Sequence, residues 1–169
     1  MDPNALLRDP IFGIDDLVTL TREPLHIEVA KSWVKHGHIK PVHVDGRRRF
    51  SAIQLLHADL VGLLAFTMKV PPSIGSAIAD NAIAEYDSIE GDFLEVFNGK
   101  HFAAPPASGG NGKMTFNLVR TPGDILRPWQ PGDREEDGVM IVLPVALVAR
   151  GLFAKMRVLI EARSIGVGS

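Results

Sequence analysis

Three consecutive arginines at residues 47–49 directly follow an Asp-Gly pair at residues 45–46. Residues 31–49 hold six Lys and Arg side chains against one acid, which gives this window a charge of +5 in a chain of net charge −2. The same window contains three histidines: His36, His38 and His43. Guanidinium groups are always charged and form forked hydrogen bonds to phosphate. The window therefore predicts phosphate binding, with a solvated basic face as the plain alternative.

Two short helices precede the basic window. Apolar residues at positions 14, 17, 18 and 20 indicate the first, and Pro24 suits the first turn of the second. The second helix carries an apolar stripe that we expect to be buried: Ile27, Ala30, Trp33 and Val34. Gly37 is typical of a residue that ends a helix. The opposite face of this helix is then left for solvent or for a ligand.

The arginines themselves are expected to lie in a hairpin. "VHV" and "RRRF" alternate as short strands around the Asp-Gly pair, which readily takes the positive φ angles of a type I′ turn. Ser51 and Gln54 then form a capping box that opens a buried helix, expected to run to about Lys69. Pro71-Pro72 ends that helix, and a further helix over residues 73–86 follows.

The second half of the chain has a different pattern. We expect strands in "DFLEVFNG" and "KMTFNLVRT", with the loop "AAPPASGGNGK" between them, a third strand in "GVMIVL", and a final helix over about 144–163. The predicted fold class is therefore α+β, with a domain over residues 1–88 and a small α/β region over residues 89–169. The apolar side of the final helix is either a dimer contact or part of the core.

Helix, helix, hairpin, helix is the order of a winged helix-turn-helix, in which the second helix enters the major groove and the hairpin, or wing, lies beside it. With "SWVKHGHIKP" at 32–41 and "GRRRFS" at 46–51, residues 14 to about 87 resemble the MerR-type DNA-binding domain. The matching positions are Trp33, Gly37, Ile39, Pro41, Gly46, Arg48, Phe50 and Ser51. The chain departs from the family's arginine-rich start of the second helix, and no long dimerisation helix is visible after residue 70.

The resemblance implies a sequence-specific, DNA-binding transcriptional regulator of bacterial or phage type. It would bind double-stranded DNA as a homodimer, with the C-terminal region supplying dimer or protein contacts. The expected DNA-contacting residues are Glu28, Lys31, Ser32, Lys35, His38, Lys40, His43, Arg47, Arg48 and Arg49. One alternative is a phage packaging or recombination accessory protein, such as a small terminase subunit or an excisionase-like factor. Another is a protein-interaction or small-ligand module that no longer binds DNA.

Other chemistry has weaker support in the sequence. The chain has no cysteine, which excludes disulfides and cysteine-based zinc sites. No Ser-His-Asp, paired-carboxylate or nucleotide-binding pattern stands out, so we expect neither an enzyme nor a cofactor. A metal site at "HGH" with His43 is a minor alternative. We expect no signal peptide and no membrane span, and a cytoplasmic, nucleoid-associated location.

Overall fold

A computed structural model of the chain describes residues 7–21, 25–87, 102–104, 117–119, 143 and 145–166. These residues form a mixed α+β structure, which confirms the predicted class at that level. The chain divides into two compact units, one comprising Met1–Asp80 with Val148–Ser169 and the other Asn81–Leu147. The first unit thus includes residues of both the predicted 1–88 domain and the predicted 89–169 region. Each unit is described by itself below.

The first two helices lie where the apolar spacing predicts them. Helix α1 spans Ile14–Leu20 and helix α2 spans Ile27–Lys35. Helix α2 begins later than the proline-based expectation, because His26 is its N-cap and accepts a hydrogen bond at Nδ1 from the backbone N–H of Glu28 at 3.3 Å. Pro24 itself lies outside the described residues. Gly37, with a φ of +74°, follows the end of α2 as predicted.

The hairpin forms with the predicted turn. Strand β1, Val42–Val44, pairs antiparallel with strand β2, Arg47–Arg49. Asp45 and Gly46 between them have φ angles of +49° and +71°. A type I′ turn requires positive φ at both central residues, so the Asp-Gly prediction is confirmed. The register is therefore fixed by a two-residue turn.

The base of the hairpin is joined to the segment before α1. Phe50, directly after β2, forms an isolated antiparallel bridge with Phe12. The Phe12 N–H donates to the Phe50 carbonyl at 3.0 Å, and the Phe50 N–H donates to the Phe12 carbonyl at 2.8 Å. Both rings are fully buried. These contacts restrict the orientation of the hairpin relative to α1.

Helix α3, Ala52–Gly62, is the central helix of the first unit. It opens with the predicted capping box: the Ser51 N–H donates to Gln54 Oε1 at 2.8 Å, and the Gln54 N–H donates to Ser51 Oγ at 3.3 Å. Most of its residues are buried, including the polar residues His57 and Asp59. The helix expected to continue to about Lys69 instead widens into a π-helical turn, Leu63–Thr67.

Helix α4, Pro72–Asp87, follows the Pro-Pro break. Pro72 is its first residue, a position where the missing N–H has no intrahelical partner to lose. Gly75 allows α4 to approach the preceding turn closely, since a Cβ at this position would lie 3.5 Å from Leu64 Cβ. Ile78 and Ala79 are buried in the same unit.

Helix α5 spans Val145–Gly166, slightly longer than the predicted final helix. Five residues of its apolar side are buried: Val145, Val148, Ala149, Leu152 and Met156. The sequence left open whether this side is a dimer contact or core. Its burial within a single chain favours core packing.

Two cations of α5 bind α1. Lys155 Nζ donates to the backbone carbonyls of Leu20 and Thr21, at 3.2 and 3.4 Å, where the end of a helix leaves carbonyls without partners. Arg163 forms an ion pair with Asp16, near the start of α1. Because the later residue of α5 meets the earlier part of α1, the two helices run antiparallel along this contact.

In the second unit the described residues form a small antiparallel sheet. Strand β3, Phe102–Ala104, pairs with strand β4, Asn117–Val119. Strand β4 lies within the predicted "KMTFNLVRT", but β3 occupies the start of the segment expected to be a loop. Phe102 is an aromatic residue of a type that favours a strand. The strands expected at 92–99 and 138–143 fall outside the described residues, apart from Leu143.

Within the described ranges, no helix combines the length and the apolar character needed to cross a membrane.

Candidate nucleic-acid interface

The outer face of helix α2 is polar and exposed. Ala30 and Trp33 are buried on its inner side. Four of the residues predicted to contact DNA are exposed on α2: Glu28, Lys31, Ser32 and Lys35. The helix is therefore amphipathic in the sense that the sequence predicts, with the candidate side chains directed away from the core.

Trp33 is part of the core although it belongs to this helix. Only 6% of its surface is exposed. Its indole stacks on the Phe66 ring in the π-helical turn after α3, with ring centroids 5.6 Å apart and an interplanar angle of 19°. Stacked aromatic pairs at this separation are favourable beyond the area they bury. The contact restricts the rotation of α2 about its axis.

Glu28 and Lys31 form an ion pair on the exposed face. Lys31 Nζ lies 2.7 Å from Glu28 Oε1, and both side chains are more than half exposed. The hydrogen bond and the charge of Lys31 lower the pKa of Glu28, so this carboxylate is ionised at neutral pH. The first turn of α2 thus presents an acceptor and a donor in contact with each other.

The six residues that connect α2 to β1 are held by two other helices. Ile39 is buried. Ser76 Oγ of α4 donates to the His38 carbonyl at 3.0 Å, and Gln54 Nε2 of α3 donates to the Lys40 carbonyl at 2.7 Å. The hairpin therefore leaves the body of the unit in a direction that these hydrogen bonds help to set.

Lys40 is joined to a carboxylate that the sequence did not suggest. Its Nζ lies 3.5 Å from Asp80 Oδ2, and the other oxygen of Asp80 lies 3.1 Å from His57 Nε2. His57 Nε2 also lies 3.3 Å from the Ser76 carbonyl. Since both partners are acceptors, Nε2 carries a proton. Burial lowers the pKa of His57 more than Asp80 raises it, so the ring is neutral at pH 7.

The register divides the hairpin arginines between two faces. Cross-strand partners are Val42 with Arg49, His43 with Arg48, and Val44 with Arg47. Successive side chains of a strand point to opposite faces. Arg47 and Arg49 therefore share one face with the two valines, and Arg48 shares the other with His43. The three arginines predicted to contact DNA are thus divided between the two faces of the hairpin.

The hairpin is exposed on both faces. Val42 and Val44 are 44% and 36% exposed, which is high for valine in a strand. Arg47, Arg48 and His43 are exposed, while Arg49 is half-buried. Arg49 Nη1 approaches the start of α1, at 3.7 Å from the position of a Cβ on Gly13. Within the described part of the chain, no ion pair compensates Lys35, Arg47 or Arg48.

The histidines of the basic window do not gather around a common point. The rings of His36 and His38 are stacked with centroids 6.1 Å apart, and His43 lies on the hairpin. Among the described residues, no group of three or more His, Asp or Glu side chains could hold a metal ion. The minor metal-site alternative gains no support from this arrangement.

Three side chains that stabilise the first unit through contacts with distant residues were not predicted as site residues: Asp80, Ser76 and Asp16. Asp80 meets Lys40 across 40 positions of sequence, and Ser76 meets His38 across 38. Asp16 meets Arg163 across 147. No local spacing relates such positions, so the only signal was the presence of polar residues, such as His57 and Asp59, within an apolar helix.

Comparison with known proteins gives no match for this chain, either among protein-family models or among curated proteins. The MerR-type resemblance stays a prediction from the residues that carry it.

Proposed function

We propose that the protein is a sequence-specific DNA-binding regulator, in which residues 1–88 form a winged helix-turn-helix of MerR type. Helix α2 would enter the major groove and the Asp-Gly hairpin would act as the wing. The chain would bind double-stranded DNA as a homodimer in the bacterial nucleoid.

One observation carries the proposal: an amphipathic helix and a basic hairpin are held on the same compact unit with their cations exposed. Lys35 ends the outer face of α2, and Arg47 and Arg48 lie on opposite faces of the hairpin. The alternation of Arg47 and Arg48 gives each face of the hairpin a guanidinium group that can bind phosphate.

Two of the lysines predicted to contact DNA are paired with carboxylates, which lowers their attraction to phosphate. Lys31 pairs with Glu28, and Lys40 pairs with Asp80. Each carboxylate offsets the positive charge that its lysine offers to a phosphate. The hairpin arginines are therefore expected to dominate the sequence-independent affinity.

A single module of this size contacts few base pairs, so useful specificity calls for two copies on half-sites about 10 base pairs apart or a multiple of that spacing. The oligomeric state of the DNA complex tests this part. A dimer supports a regulator, whereas a larger ring supports the packaging role.

The main experiment measures affinity for a random-sequence duplex between about 50 and 200 mM salt, for the parent and for single arginine variants. Each phosphate contact contributes about 0.9 to the slope of log affinity against log salt. Arg47→Ala and Arg48→Ala should each lower the slope by about one unit and weaken binding to all sequences alike. Arg157→Ala is the matched control, because it removes an exposed arginine on α5 outside the proposed interface.

A parent protein without salt-dependent affinity for duplex DNA would contradict the proposal and favour the protein-interaction module. Equal slopes for the parent and both hairpin variants, with DNA binding intact, would remove the hairpin from the interface while leaving α2 in place.

A further inference from the structure

The first turn of α2 is the part of this helix best placed to meet a base edge. In helix-turn-helix complexes the N-terminal residues of the recognition helix contact the bases. Here that turn begins after His26 and carries Glu28, with Lys31 one turn later on the same face. Both side chains are exposed, at 68% and 53%, and they are in direct contact.

A carboxylate at this position is unusual for a surface that meets phosphates, because the two negative charges repel each other. Its repulsion is reduced when a cation lies beside it, and Lys31 Nζ lies 2.7 Å from Glu28 Oε1. The pair is electrically neutral as a unit. It therefore contributes little attraction to the DNA backbone and is better suited to a hydrogen-bonding partner that presents both a donor and an acceptor.

The major-groove edge of a C·G base pair is such a partner. Cytosine presents its N4 amino group as a donor, and guanine presents O6 and N7 as acceptors. The cytosine amino group lies next to guanine O6 across the base pair. A carboxylate accepts from cytosine N4, and an ammonium group donates to guanine O6 or N7. A T·A pair in the same orientation reverses this pattern, because thymine O4 is an acceptor where cytosine has its amino donor and adenine N6 is a donor where guanine has O6.

The geometry points to the Glu28–Lys31 pair as a unit that reads one C·G base pair in each half-site. This inference rests on the proposed DNA-binding function and names its base preference. The alternative is that Glu28 and Lys31 form an ordinary i, i+3 ion pair, which stabilises the helix without contacting a base.

The experiment is a selection from randomised duplex DNA with the parent, Glu28→Gln, Lys31→Met and the double variant. Affinities are then measured on the selected site and on the same site with the C·G pair replaced by T·A. The parent should prefer the C·G site by roughly 5- to 150-fold. Each single variant should lose most of this preference at that one position, and the double variant should lose no more than either single variant.

Glu161→Gln is the matched control. Glu161 is also an exposed glutamate beside a cation on a helix, since it pairs with Arg157 on α5 at 3.4 Å. It lies outside α2, so this variant should select the same site as the parent with the same preference. Circular dichroism of all variants checks that α2 remains folded.

The outcomes separate the two proposals. If the parent does not bind duplex DNA, both the proposed function and the base preference are rejected. If the parent selects a defined site that Glu28→Gln selects equally well, only the base-reading role is rejected. If Glu28→Gln increases the affinity for every sequence and leaves the C·G preference unchanged, the base-reading role is also rejected. Glu28 would then act only as a charge that repels phosphate.

Discussion

Helix α2 contains a buried structural residue, Trp33, beside exposed residues that are proposed to contact DNA. The tryptophan lies in the helix proposed to enter the major groove, yet its indole is buried and stacked on Phe66. The neighbouring Ser32 on the outer face is exposed. Two adjacent residues of α2 thus serve the core and the surface, because successive helical positions are about 100° apart.

We expect Trp33→Ala to destabilise the protein by about 3–5 kcal/mol, because it opens a large cavity beneath α2. DNA binding should fail as the unit unfolds. Trp33→Phe preserves a ring against Phe66 and should retain most of both properties. Thermal unfolding beside DNA affinity checks this expectation. A Trp33→Ala variant that stays fully folded yet loses DNA binding would contradict it.

His57 should make stability depend on pH. Its pKa in the folded state is lowered from the ordinary 6.5, chiefly by burial. The unfolded chain therefore binds the proton more tightly. Stability should be complete above about pH 6.5 and should fall as the pH decreases from there toward the folded-state pKa.

Denaturant unfolding between about pH 7.5 and 5 measures this effect. His57→Gln keeps a side-chain N–H that can donate to the Ser76 carbonyl but cannot be protonated. The difference in slope between the parent and this variant isolates His57 from the exposed histidines. Identical pH profiles for the two proteins would show that the protonation of His57 is not coupled to folding.

The strand register of the hairpin depends on its two-residue turn. Asp45 and Gly46 both have positive φ, which places strand β2 in register with β1 and sets which arginines share a face. The Phe12–Phe50 bridge holds the other end of the hairpin. The turn thus fixes the register of the hairpin, and the bridge fixes its base.

Gly46→Ala should cost about 1–2 kcal/mol, because an L side chain at a φ of +71° is strained. It should also weaken DNA binding by altering the hairpin. Gly46→Asn should be tolerated better, since asparagine accepts positive φ. Gly62→Ala in α3 is the control and should stabilise by about 0.5–1 kcal/mol, because nothing lies within 4 Å of its added Cβ. Equal effects of the two alanine substitutions on stability would contradict the strain argument.

At the scale of the whole molecule, the end of the chain completes the first unit. Helix α5 places Lys155 at the end of α1 and Arg163 at Asp16 near its start. Asp16 also accepts a hydrogen bond at Oδ2 from the Gly13 N–H at 2.7 Å, so both of its oxygens are used. Residues separated by most of the sequence thus hold the first helix at both ends.

Arg163→Met should destabilise the chain by about 1–3 kcal/mol, because the largely buried Asp16 loses the partner of one oxygen. Arg157→Met is the matched control on the same helix. Its pair with Glu161 is exposed, so its loss should cost at most about 0.5 kcal/mol. Urea unfolding of both variants beside the parent measures the difference. Losses of equal size would show that Asp16 is adequately hydrated without Arg163.

Features that depend on residues close together in the chain could be predicted from the sequence. The Asp-Gly turn, the Ser51–Gln54 capping box and the helix end at Gly37 form as predicted. In the predicted α2 stripe, Ala30 and Trp33 are buried, whereas Ile27 and Val34 are partly exposed. Each of these features is set by local backbone preferences or by a helical period within about one turn. The exposed candidate residues of α2 follow from the same period.

Contacts between residues that are distant in the sequence could not be predicted and are seen only in the folded chain. Folding joined Lys40 to Asp80, Arg163 to Asp16 and Trp33 to Phe66, and it brought the end of α5 into the first unit. The folded hairpin also places Arg47 and Arg48 on opposite faces, because successive side chains alternate between the two faces of a strand once the strand has formed. These contacts depend on how helices pack in space, and burial and ion pairing across many positions leave no periodic trace in a single sequence.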